Sequence, residues 1–75
     1  MSVSKRFILP DEVKAFIVQE LLPSKGLSCR SVESGIRTIV VYLNESISNG
    51  EVEELKRITK ERFGNTYTVI FVPRN

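Results

Sequence analysis

Residues 36–72 read IRTIVVYLNESISNGEVEELKRITKERFGNTYTVIFV, and the fold turns on how that stretch divides. Ile36 to Leu43 is rich in β-branched and aromatic side chains and reads as a strand. Thr66 to Val72, TYTVIFV, reads as another, closed by Pro73. Between them, Ser48 and Glu51 have the S-x-x-E spacing of a capping box, with Ser48 as N-cap. Val52, Leu55, Ile58, Thr59 and Phe63 then fall on one helical face, and Gly64 suits the left-handed position past the helix end. Strand, helix and strand form a βαβ unit, whose strands must be parallel with a right-handed crossover.

The Asn49-Gly50 step in this stretch invites comparison with a phosphate-gripping loop. Such a loop needs several glycines so that backbone N–H groups converge on oxygen atoms. Only Gly50 is available, and Glu51, Glu53 and Glu54 would repel a phosphate while favouring the positive end of a helix dipole. The stretch is therefore punctuation between a strand and a helix.

Working towards the N-terminus, Leu27 to Ser34 is a further strand candidate, with Ser34-Gly35 expected to turn a hairpin into the strand at 36–43. Pro10, Asp11 and Glu12 suit the first turn of a helix that should run to about Leu22, where Pro23 stops it and Ser24-Lys25-Gly26 turns. The expected fold is a small two-layer α+β sandwich over residues 1–75, in α-β-β-α-β order. Its three-stranded sheet is mixed and both helices lie on one face. Residues 1–8 are expected to be flexible or a short strand. A strand over Arg6 to Leu9 would give the alternative, a ferredoxin-like β-α-β-β-α-β order.

In element order the segment from Gly35 to Val72 looks like the ring-building modules of secretion and flagellar base assemblies. KH-type RNA-binding domains also have comparable small sheets with helices on one side. The resemblance is one of pattern over about half the chain. It would imply assembly beside a membrane anchor in the first case and a G-x-x-G clamp on nucleic acid in the second. Gly50 is followed by Glu51, Val52 and Glu53, so that clamp is absent.

The 75 residues carry 11 basic and 9 acidic side chains, a net charge of +2, which is weakly one-sided for a nucleic-acid domain. The only basic run is Lys5-Arg6. Cys29 is the sole cysteine and there is no histidine, so an internal disulfide is impossible and the usual metal-ligand set is missing. Neither a long apolar span nor a secretory leader is legible, and a cytoplasmic protein without cofactor is expected. No nucleophilic triad can be assembled, and the carboxylate pairs Asp11/Glu12 and Glu53/Glu54 sit in first turns, where they stabilise helix starts. We therefore expect no enzymatic activity.

Two features exceed what a small monomer needs. On the first helix, Val13, Phe16, Ile17 and Leu21 make one apolar stripe and Ala15, Val18 and Leu22 a second. The strong strands are apolar on both faces, Val40, Tyr42, Ile70 and Val72 alternating with Ile39, Val41, Val69 and Phe71. Surplus apolar surface marks a partner site. The leading expectation is an interaction or self-assembly module, a homo-oligomer or a docking partner of another protein, binding through Ala15, Val18, Leu22, Val40, Tyr42, Ile70 and Val72. The alternative is a nucleic-acid-binding domain using Lys5, Arg6, Arg30, Arg37, Tyr42, Tyr67 and Arg74, with tyrosines and Phe71 stacking on bases from one exposed face.

Overall fold

The computed structural model describes residues 8–74. Pro10–Phe16 is α-helical, Ile17–Leu21 is a π-helical turn and Leu22–Ser24 a last helical turn. The residues at both junctions keep right-handed helical dihedrals, so the three pieces run on as one first helix. It passes through Pro23 instead of stopping there. In a regular α-helix the proline ring would meet the carbonyl four residues back. Here the ladder has already slipped, with the Leu22 N–H donating to the Ile17 carbonyl five residues earlier. The helix ends at Gly26, whose φ of 70° allows a Schellman closure. Leu27 N–H donates to Leu22 O at 2.8 Å and Gly26 N–H to Pro23 O at 3.1 Å.

β1 spans Cys29–Gly35, β2 Thr38–Leu43 and β3 Thr68–Val72, in the sheet order β1-β2-β3. β1 and β2 are antiparallel, and β2 and β3 parallel. This is the mixed α+β sandwich expected from the sequence, with the expected order of elements. The ferredoxin-like alternative falls, because it would split the βαβ unit with a first strand. Here β2 and β3 pair directly, and Ile8 and Leu9 are not in a strand. Arg6 and Phe7 lie outside the described residues.

The hairpin turns two residues later than Ser34-Gly35. Gly35 pairs with Thr38, leaving Ile36-Arg37 as the loop, with Arg37 at a φ of 62°. Side-chain placement dictates this register. Cys29 pairs with Leu43 and Val32 with Val41, both inward, although residues three apart in a regular strand face opposite ways. The register slips at Arg30, so Ser31 meets Tyr42 and both apolar residues of β1 reach the core side.

The second helix, Asn49–Phe63, has the expected capping box. Ser48 Oγ accepts from Glu51 N–H at 3.2 Å, and Glu51 Oε1 accepts from Ser48 N–H at 3.0 Å. Leu55, Thr59 and Phe63 are buried, and the Thr59 hydroxyl donates to Leu55 O at 2.8 Å. Together with Val13, Ile17, Leu21 and Leu22 they pack on Ile39, Val41, Leu43, Val69 and Phe71. Both helices therefore cover the same face of the sheet. Phe16 and Phe63 join them edge-to-face at 5.5 Å, with the Arg62 guanidinium 4.5 Å above the Phe16 ring.

Candidate functional site: the open face and edge of the sheet

The face opposite the helices is built from three rungs: Gly35–Thr38–Thr68, Glu33–Val40–Ile70 and Ser31–Tyr42–Val72. Val40, Tyr42 and Val72 are half-buried by neighbours on the same face, and Ile70 is 43% exposed. These four of the seven expected contact residues form one patch. Its rim is polar. The Tyr42 hydroxyl donates to Glu33 Oε1 at 3.3 Å, and the Arg30 guanidinium lies 5.6 Å from the Tyr42 ring centre.

The other three expected contact residues separate. Ala15 and Val18 are exposed on the first helix, Val18 at 42%. Leu22 is 1% exposed and belongs to the core, which corrects its assignment to the contact stripe. In a turn closed by i→i+5 bonds, positions four and five beyond Ile17 share its face. Leu21 and Leu22 are both drawn inward, and the second stripe of the first helix shrinks to Ala15 and Val18.

Sequence reasoning missed the edge of β3. Thr68 N–H donates to Arg37 O at 2.8 Å, so the backbone groups of Thr68, Ile70 and Val72 point towards β2. Those of Val69 and Phe71 point to the other side, where no described residue pairs with the strand. The signal was available: TVIFV is a regular apolar run without charge, followed by a proline. The opposite edge, β1, is guarded by its irregularity and by Arg30 and Glu33.

The described residues of the nucleic-acid alternative do not gather at one site. Arg30 and Tyr42 meet, but Glu33 sits beside them. Arg37 and Tyr67 line a cleft at the opposite end of the sheet, with Ile8 and Ile36. Tyr67 packs against the core and its hydroxyl donates to Ile8 O at 3.1 Å, while Phe71 is buried on the helix side. Arg74 follows β3, and its N–H donates to Glu45 O at 2.9 Å. Lys5 and Arg6 lie outside the described residues. The basic residues of the second helix are largely spoken for. Arg57 forks between Glu54 at 2.8 Å and Glu61 at 2.9 Å, and Lys56 meets Glu53 at 3.4 Å. The Arg57 hydrogen bond holds the Glu54 carboxyl below its ordinary value.

Among the described residues no group of three or more His, Cys, Asp or Glu gathers to hold a metal ion, and no helix is long and apolar enough to cross a membrane. No protein-family model matches the chain, and neither a curated protein nor a solved structure matches it.

Proposed function

We propose that this protein is a non-enzymatic interaction module that binds a protein surface through the open face of its sheet. The observation that supports it is the one-sided layering. Both helices lie on the Ile39/Val41/Phe71 face, and Val40, Ile70 and Val72 line the other with nothing described above them. A half-covered sheet ordinarily alternates apolar with polar, whereas β2 and β3 also carry Val40, Ile70 and Val72 on the open side. Polar residues rim the patch, as they rim protein interfaces.

Methyl relaxation by a soluble nitroxide tests the reading on the dilute full-length chain. The Ile70 methyls should be bleached about as strongly as those of Val18, the half-buried Val40 and Val72 methyls measurably but less, and those of Ile39 and Val41 spared. Shielded Val40 and Ile70 methyls in a monomeric sample would mean that the chain covers its own sheet, and the reading would fall. Adding a mixed single-stranded oligonucleotide pool at low salt should shift no resonance of the patch.

A further inference from the structure

The geometry points to a second copy of this chain as the occupant of the β3 edge, paired antiparallel about a two-fold axis through Ile70. The inference goes beyond the sheet-face reading, since a copy at the edge widens the open patch without covering it. Three observations carry it.

The first is the phase of the free backbone groups. Val69 and Phe71 present their N–H and C=O groups outward, while Ile70 bonds towards β2. With the axis at Ile70, Val69 of one copy stands opposite Phe71 of the other, and Phe71 opposite Val69. These are the pairs that exchange both N–H···O=C bonds in an antiparallel ladder, and Ile70 meets its own copy at the non-bonded position between them. Pro73 has no N–H to donate and limits the pairing at each end.

The second is the match of faces. Residues directly opposite in an antiparallel pair point to the same side. Val69 and Phe71 both face the helices. Thr68 and Val72, and Ile70 and its copy, all face the open side. Core meets core across the axis, and the open patch continues from Val40 and Ile70 into the Ile70 and Val40 of the second copy. The sheet grows from three strands to six.

The third is charge. β3 carries none, so its two copies meet without repulsion. The flank of the second helix beside β3 is polarised. Lys56 and Lys60 line a cleft of about 230 Å³ against Thr68 and Val69, and Glu53 lies nearer the helix start on the same flank, 3.4 Å from Lys56. Lys60 has no carboxylate partner among the described residues. A two-fold axis reverses the second helix, bringing Glu53 of the partner copy towards the Lys60 end. A parallel pairing of the same two edges would turn the helices of the second copy to the opposite face, so that core would meet open patch.

The test combines sedimentation of the full-length chain, from micromolar to millimolar concentration, with amide hydrogen exchange. The expected result is a rise from 8.5 kDa to twice that mass, with the Val69 and Phe71 amides becoming protected as dimer forms. Ile70→Lys, which sets two ammonium groups against each other at an exposed site, should weaken association by about tenfold or more. Glu53→Lys and Lys60→Glu should each weaken it, and the double substitution should restore it. A chain monomeric throughout, with bare Val40 and Ile70 methyls, overturns the edge pairing while the sheet-face reading stands. A dimer whose Val69 and Phe71 amides stay unprotected also overturns it, as does a double swap that restores nothing.

Discussion

Gly64 shows how narrow a single residue's role can be. It ends the second helix at φ 70° and ψ −148°, a combination open to glycine almost alone, and not the left-handed helical region that the sequence suggested. No atom lies within 4 Å of a Cβ added there, so any cost of a side chain is backbone strain. Gly64→Ala should lower stability by about 1–3 kcal/mol, read from chemical denaturation at an unchanged m-value. Glu45 is a second single-residue device. Its carboxylate accepts the Ser28 N–H at 3.0 Å and the Ser28 hydroxyl at 2.9 Å, tying the start of β1 to the loop after β2. The backbone bond from Ser28, foremost, holds its pKa below the ordinary 4.5. A lowered carboxylate pKa contributes stability that is present above the unfolded value and is lost as pH falls through the folded one. Melting temperature should therefore fall in acid, below the ordinary carboxylate value, and Glu45→Gln should reduce that loss.

At the scale of elements, the two helices differ in how they could be read. The second follows local rules throughout, from its capping box to the Val52, Leu55, Thr59 and Phe63 face. The first has a register change that no local propensity announces. Pro23 alone reads as a stop. It is carried inside a helix because a π turn precedes it and Gly26 closes the end. The change separates Leu22 from Val18, which regular spacing puts on one stripe. Leu22→Ala should cost about 2–5 kcal/mol, as for a buried leucine. Val18→Ala should change stability by only about 0.5 kcal/mol, as on a surface. Equal losses in a denaturation series would mean that the helix keeps the regular register. β1 carries the equivalent lesson for strands: its Cys29 and Val32 are inward together only because the ladder slips at Arg30.

For the molecule as a whole, the open face is what one layer of helices leaves over. The buried core comes from both helices, β2 and β3, with Cys29 and Val32 of β1 packed against it, and the Val40, Ile70 and Val72 side of the sheet is not part of it. Replacing Val40 and Ile70 together by threonine keeps a β-branched shape on each strand and removes apolar surface from the open face. The double variant should unfold within about 1 kcal/mol of the parent and associate more weakly, as sedimentation and denaturation would show. A loss of several kcal/mol would instead place both side chains in a core. The same layering explains why the scattered arginines and tyrosines form no stacking surface. Tyr67 is drawn towards Ile8 and the core, while Tyr42 stands on the open face beside Glu33.

The kinds of element, their order and the parallel sense of β2 and β3 were determined by the sequence alone. So was the capping box at Ser48. Each depends on residues within one element or on a short connection, and backbone propensity, capping and handedness act at that range. Tertiary structure decided the rest. The π turn that buries Leu22, the slip at Arg30, the shift of the hairpin to Ile36-Arg37 and the edge of β3, unpaired among the described residues, each answer to contacts between distant elements. Val40 and Val41 read alike as β-branched residues on a strong strand. Only the side on which the two helices settle makes Val41 core and leaves Val40 on the open face.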